Sequence, residues 1–170
     1  MMMRPLYCLC FAALLMAATA PGLPETHSVA AEGRYSMRVT VDDAVPTRLL
    51  VELQYLGDGQ VEMYRSALPW GSIHSLILVV VMLDPFGTSL EQVFPIDDPA
   101  PDRLVLHSGE IERGRVDLRS RFPALATAAP TKDLMVFWTY QLRDIKGSEY
   151  DRLSGYVRLP RPVQREERHD

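Results

Sequence analysis

Residues 75–83 have the sequence SLILVVVML, and the rest of the chain is predicted to pack around them. Leu76 to Leu83 are all apolar, and turn-forming residues follow at Asp84, Pro85 and Gly87. A membrane-spanning helix needs about 20 apolar residues, so this run is too short to cross a bilayer. Its β-branched content and its flanking breakers favour a strand that is buried on both faces. We therefore predict that it is the middle strand of a β-sandwich.

Alternating sequences on both sides of this run predict further strands. Tyr35–Val41, Leu49–Tyr55 and Leu134–Leu142 carry apolar residues at every second position, as half-buried strands do. This alternation places Trp138 in the core. Shorter strands are expected at 60–65, 90–96, 104–106, 111–118 and 153–159, with one helical turn at 119–125, a loop at 126–131 and a hairpin loop at 143–151. Seven to nine strands without an amphipathic helix indicate an all-β, Ig-like antiparallel β-sandwich.

The two ends of the chain differ in composition from the middle. Residues 1–31 are predicted to be a signal peptide and leader, because Arg4 precedes a short apolar stretch, Leu6 to Ala20. Cleavage after Ala20 and cleavage after Ala31 both remain open. The sandwich is assigned to 34–160, and 161–170 is expected to be a disordered charged tail. The mature protein is therefore expected to be secreted or periplasmic, without a membrane span.

The composition suits one globular domain with a core. Hydrophobic residues make up 47% of the chain, charged residues 24%, and the formal net charge is −4. Basic residues do not form a stripe with interleaved aromatic residues, which argues against a nucleic-acid partner. Cys8 and Cys10, the two cysteines of the chain, both lie in the predicted signal peptide, so the mature domain is expected to have no disulfide.

The order of motifs between Leu49 and Tyr140 resembles a known module. The segments LLVELQYLGDGQVEMY, LPWG, LVLHSGEIERGRVDLRSRFPAL and a W-x-Y strand follow one another with a buried strand between the second and the third. This order resembles the small Ig-like accessory domain that precedes the catalytic domain in deuterolysin-type secreted metalloproteases. The resemblance implies an accessory or binding role, and the absence of an H-E-x-x-H motif means that it does not imply protease activity.

The sequence offers no motif that carries catalysis. No two histidines have ligand spacing, and neither G-x-S-x-G nor H-E-x-x-H occurs. We therefore predict no catalytic, cofactor-binding or metal-binding residues and no cofactor. A calcium site at Asp97, Asp98 and Asp102 stays open, because three carboxylates crowd one loop without an EF-hand pattern.

One loop is a candidate for binding a partner, namely Leu68, Pro69, Trp70 and Gly71. An exposed Trp70 would be a rigid apolar anchor, whereas the alternative is that its indole folds back and caps the sandwich. The leading hypothesis is a non-catalytic binding or accessory module for an unknown protein or cell-envelope partner. The alternatives are a protease inhibitor that acts through the loop 66–72 or 97–102, and an unrecognised hydrolase.

Overall fold

A computed structural model of the chain describes residues 29–30, 34–97 and 102–159. These residues form nine strands, a 3-10 turn at Arg65–Ala67 and one short helix, α1, at Leu125–Ala128. The strands, numbered β1 to β9 in chain order, are Val29–Ala30, Tyr35–Val41, Arg48–Tyr55, Gln60–Tyr64, Leu76–Met82, Arg103–His107, Ile111–Asp117, Leu134–Arg143 and Glu149–Leu159. The prediction of an all-β sandwich is confirmed.

All strand pairs are antiparallel, and they form two main sheets and one pair. The first sheet has the order β1-β2-β3-β7, the second has the order β5-β8-β9, and β4 pairs with β6. Each main strand turns one row of apolar side chains inward and the other row outward, as the period of two requires. The largest fully buried side chains include Trp138, Tyr35, Tyr55, Tyr140 and Phe122. The prediction that Trp138 belongs to the core is therefore confirmed.

The apolar run at Leu76–Met82 is not a middle strand, which corrects the prediction. This strand, β5, lies at the edge of its sheet and hydrogen-bonds to β8 on one side. Its burial alternates: Leu76, Leu78 and Val80 face the core, whereas Ile77 and Val79 face outward and are exposed. A strand that is covered on both faces and a strand whose outer row is apolar but exposed have the same unbroken apolar sequence, so the sequence does not distinguish them.

The predicted strand at 90–96 does not form, which is a second correction. Its successive polar groups bond to three different elements: Leu90 N–H donates to Val80 O and Val93 N–H to Arg121 O, while the Asp97 carboxylate accepts from Ile73 N–H. Such divergent partners cannot build a ladder, and Pro95 has no N–H to donate. An isolated bridge between Val81 and Ser89 is the only strand-like pairing that 84–97 makes with the described residues.

Two local predictions shift along the chain. The short helix lies at Leu125–Ala128, mostly inside the predicted loop 126–131, where the alanines are strong helix formers. The predicted helical turn at 119–125 forms in part, since Leu118 O accepts hydrogen bonds from the N–H groups of Arg121 and Phe122. The hairpin loop of 143–151 shrinks to 144–148. There the Asp144 carboxylate accepts the N–H groups of Lys146 and Ser148, and Gly147 has a φ of 81°.

Several predictions fall on residues that the structure does not describe. These are the signal peptide through residue 28, both cleavage sites, and the tail 161–170. Within the predicted leader, however, Val29 and Ala30 pair with Met37 and Ser36 of β2, so a cut after Ala31 would remove β1. No helix among the described residues has the length and apolar character needed to cross a membrane.

Candidate functional site

The outward side of the sheet β5-β8-β9 is built from three rows of paired residues. Read from β5 through β8 to β9, the three rows are Val81–Met135–Arg158, Val79–Phe137–Tyr156 and Ile77–Thr139–Ser154. The rings of Phe137 and Tyr156 lie 6.1 Å apart. The rows are therefore apolar on β5 and become polar towards β9.

Several of these apolar side chains are open to solvent. Ile77 is 59% exposed, Val79 45%, Leu83 49% and Phe137 46%. Phe94, which is 61% exposed, stacks on the His74 ring with 6.0 Å between centroids. His74 and Ile77 line the same cleft, so Phe94 continues this surface. We call Ile77, Val79, Leu83, Phe94 and Phe137 the outer apolar face.

The outward side of the other sheet is charged instead. Glu52 at its centre accepts a hydrogen bond of 2.7 Å from Arg113 and lies 4.0 Å from an Arg38 nitrogen. Arg48 and Asp42 form a further ion pair at 3.5 Å. Ile111 is an exposed apolar residue on this side. The two outer surfaces of the sandwich therefore differ in chemistry, and only that of β5-β8-β9 presents an apolar row along a whole described strand.

A cleft of about 410 Å³ lies at the polar end of the outer apolar face. Its wall combines Ile77, Thr139 and Gln141 with His74, Arg143 and Arg152. Arg152 donates to Gln141 at 3.3 Å, and Arg143 pairs with Glu149. We call this space the His74–Arg152 cleft.

The free edge of β5 is held by a buried arginine. Arg121 is 5% exposed, and its guanidinium donates to Leu76 O at 2.8 Å and to Ser72 O at 3.3 Å. Burial lowers the pKa of Arg121, and the Asp97 carboxylate opposes that shift. The pKa of Asp97 is lowered chiefly by the hydrogen bond from Ile73 N–H. These contacts hold the segment 93–97 beside the outer apolar face and shield part of the edge.

Replacing Arg121 with methionine is expected to lower the free energy of unfolding by about 1–2 kcal/mol, because two carbonyl groups lose a donor. The loss of stability is limited because methionine also removes the cost of burying a charged group. Chemical denaturation measures it, and Arg119→Met, at an exposed neighbour, is expected to change stability by less than about 0.5 kcal/mol. Faster amide exchange at Val93 should accompany the loss, and unchanged exchange would contradict the role assigned to Arg121.

The predicted binding loop is mostly part of the core. Leu68 and Pro69 are buried, and Trp70 is half-buried. Gly114 pairs with the buried Val51, so it lies on the inner side of β7, and a Cβ placed there would overlap the Trp70 indole. Trp70 thus fills space that Gly114 leaves open, as the capping alternative expected. Gly71 is half-buried as well, and a Cβ there would collide with the Arg65 backbone.

Gly114→Ala is expected to lower the free energy of unfolding by about 1–3 kcal/mol, because the added methyl overlaps a packed indole. The chain has two tryptophans, and displacement of Trp70 should shift the fluorescence emission to longer wavelength. In a Trp70→Ala background the same substitution should cost less than about 0.5 kcal/mol, since the overlap is gone. An equal cost in both backgrounds would show that the indole does not oppose the methyl.

The acidic loop does not assemble a metal site within the described residues. The Asp97 carboxylate accepts a hydrogen bond from Ile73 N–H, and Asp102 is exposed. Asp98 lies outside the described residues. No group of three or more His, Cys, Asp or Glu side chains suited to a metal ion occurs in 29–30, 34–97 and 102–159.

Ser72, His74 and Asp97 lie near one another, yet their contacts are those of a turn. Ser72 Oγ accepts the backbone N–H of His74 at 3.2 Å and hydrogen-bonds to the Asp97 carboxylate. The His74 ring stacks on Phe94. A catalytic triad needs the imidazole to bridge the hydroxyl and the carboxylate, and this arrangement lacks such a bridge.

The outer apolar face was missed by the reasoning from sequence. Its signal was present in the run Leu76–Leu83, whose apolar residues occupy both parities of the strand. The sequence did not indicate the contact between Phe94 and His74, because this contact depends on the return of the segment 84–97 along β5. No family model, curated protein or solved structure matches this chain.

Proposed function

We propose that this chain is a non-catalytic, Ig-like binding module, secreted or periplasmic, that holds another protein against the outer apolar face. The strand orders β2-β3-β7 and β5-β8-β9 support the Ig-like assignment, since Ig sandwiches combine the orders A-B-E and C-F-G. The resemblance to the accessory domain of deuterolysin-type metalloproteases agrees with an accessory role.

The observation that carries the proposal is the contrast between the two outer surfaces. A sandwich that stays alone in water has no need of an apolar outer row, and the sheet β1-β2-β3-β7 has a charged one. On β5-β8-β9 the apolar side chains form a contiguous surface beside polar and basic residues. Contiguous apolar patches with a polar rim mark interaction sites on proteins.

The aromatic residues of the face are suited to anchor a partner. The exposed fractions of Phe94 and Phe137, 61% and 46%, add up to about one whole aromatic side chain, or roughly 150–250 Å² of surface. Burying that area contributes roughly 4–6 kcal/mol at about 25 cal/mol/Å². The costs of association reduce this gain, so the aliphatic residues around the two rings are also needed.

The experiment compares capture of partners by the immobilised wild-type protein and by an Ile77→Ser/Phe137→Ser double variant. Extracts of the envelope and the culture medium of the source organism provide the partners. Bound proteins are expected to disappear with the double variant and to persist with the control Ile111→Ser, which alters the opposite face. An identical set of captured proteins from all three samples would refute the proposal.

A second function is favoured by the exposure of the segment 93–96. Ile96 is fully exposed and follows Phe94 and Pro95. Because Leu68 and Pro69 of the other candidate loop are buried, a protease inhibitor would insert the segment 93–96 into the active site of the protease. Titration of a panel of proteases with the purified protein separates this function from the first. No inhibition at micromolar protein would eliminate it.

A further inference from the structure

We infer that the His74–Arg152 cleft binds a carboxylate of the docked protein, so that the partner is apolar along the outer apolar face and acidic beside it. This inference rests on the proposed function, because one partner segment would occupy both places. It specifies the charge of that partner segment and the residue of this chain that recognises it.

The charged residues described in the wall of this cleft are basic. His74, Arg143 and Arg152 line it, and none of the Asp or Glu residues in the described part of the chain does. By contrast, the cleft beside Trp70 has a balanced wall, in which Arg115 and Arg121 face Asp97 and Asp117. The His74–Arg152 cleft therefore favours an anion.

Arg152 has N–H donors that its one described hydrogen bond does not use. Its guanidinium donates to Gln141 at 3.3 Å, and among the described residues no ion pair involves it. A guanidinium carries five N–H donors and binds a carboxylate in two parallel hydrogen bonds. Arg143 is less available, because Glu149 already pairs with it. Arg152 is thus the residue that a partner carboxylate would meet.

Arg152 lies within reach of a segment that contacts Ile77. Arg152 pairs with Gln141, which is the next outward residue of β8 after Thr139, the partner of Ile77. Outward residues of one strand are about 7 Å apart. Because β8 lies between β5 and β9, Arg152 is also about 10 Å across the sheet from Ile77. An extended segment that crosses the sheet diagonally from Ile77 therefore brings a residue three or four positions further on, at about 3.3 Å per residue, to Arg152. Hydroxyl and amide groups of Thr139 and Gln141 can complete the hydrogen bonds.

The test uses synthetic peptides as probes and isothermal titration calorimetry with the purified full chain. The peptides carry acetyl-Val-Thr-Val-Thr-Val followed by two Glu, two Gln or two Lys residues and an amide, and a second set has the pair at the other end. The Glu peptide is expected to bind about tenfold more tightly than the Gln peptide, and the Lys peptide more weakly than either. A neutral peptide with a free C-terminal carboxylate distinguishes a chain end from an acidic side chain, and a gain from either source supports the inference.

Variants assign the preference to residues. Arg152→Gln is expected to reduce the Glu preference to within about twofold, chiefly by weakening the binding of the Glu peptide. Arg143→Gln, whose wild-type partner is Glu149, is the matched control and should change the preference less. The Ile77→Ser/Phe137→Ser variant should lose all three peptides, because it removes the apolar contact that they share.

The outcomes separate the inference from the proposed function. Equal affinity for the Glu, Gln and Lys peptides would overturn the inference and leave apolar docking intact. Binding of none of them up to about 1 mM would contradict both. Sedimentation of the peptide-free protein as a dimer that Phe137→Ser dissociates would show that a second copy covers the face, and would also overturn the inference.

Discussion

Trp138→Ala is expected to lower the free energy of unfolding by about 3–5 kcal/mol, the loss typical of a large aromatic residue removed from a core. Trp138 is 1% exposed and lies on the inner side of β8, between the two neighbouring strands of its sheet. Its indole packs directly over Gly155 of β9, where an added Cβ would approach Cζ2 to 2.5 Å. A cavity at this place would disturb both strands that pair with β8. Urea denaturation of the purified protein measures the loss.

Trp138→Phe provides the control for polarity. The indole Nε1 is buried without a hydrogen-bond partner in the described structure, and an unpaired buried donor costs about 1–3 kcal/mol. Phenylalanine removes that donor and part of the volume, so its cost should be clearly smaller than that of alanine. If the phenylalanine variant were as unstable as the alanine variant, the indole N–H would have to make a contact that stabilises the fold.

Raising the pH from 10 to 12 is expected to lower the free energy of unfolding by about 2 kcal/mol through Tyr140 alone, because the loss approaches about 1.4 kcal/mol per pH unit only once the unfolded phenol is mostly ionised. Burial, and then the neighbouring Tyr35, raise the pKa of Tyr140 far above its ordinary value of 10. A tyrosine whose folded pKa is raised contributes its full stability below pH 10, where the unfolded phenol is also neutral. Above pH 10 the unfolded phenol ionises and the folded one does not, so stability falls as pH rises.

The neighbouring tyrosines act in the same direction. Burial also raises the pKa of Tyr35, against the opposing effect of the hydrogen bond from Leu142 N–H, and it raises that of Tyr150. The rings of Tyr35 and Tyr140 lie 6.0 Å apart and edge to face. Urea denaturation at several pH values measures the slope.

Tyr140→Phe is the control for this pH dependence. It loses the hydrogen bond of 2.9 Å to Ala67 O, which costs about 1 kcal/mol at neutral pH, and it should have a shallower alkaline slope by about 1.4 kcal/mol per pH unit. An unchanged slope would mean that Tyr140 ionises in the folded protein as readily as in the unfolded chain.

Much of the fold followed from period-two alternation. Tyr35–Val41, Arg48–Tyr55 and Leu134–Arg143 lie where alternation placed them. Polar residues marked most of the outward row in the first two strands, and Thr139 and Gln141 marked part of it in the third. The run at Leu76–Met82 was recognised as a strand but given the wrong place, since apolar residues on both parities carry no information about which side is covered. Its position at the edge depends on which strands pair with β8, a long-range property.

The candidate site was less predictable than the fold. The loop Leu68–Gly71 drew attention because Trp70 follows a proline, but Gly114 on β7 decides where the indole goes. A glycine opposite Val51 gives no signal in the sequence that a distant tryptophan will fill its place. Likewise, Arg121 is one basic residue among several between 113 and 121, and its burial against Leu76 O follows only from the path of the chain after β7.

The central claim, that the outer apolar face is where the protein meets its partner, is tested most directly by photocrosslinking in cells of the source organism. The photoreactive residue p-benzoylphenylalanine replaces Phe137 in one strain and Ile111, an exposed apolar residue of the opposite face, in another. The account predicts a crosslinked adduct with another protein from position 137 and none from position 111. An adduct from position 111 alone, or none from either position, would contradict it.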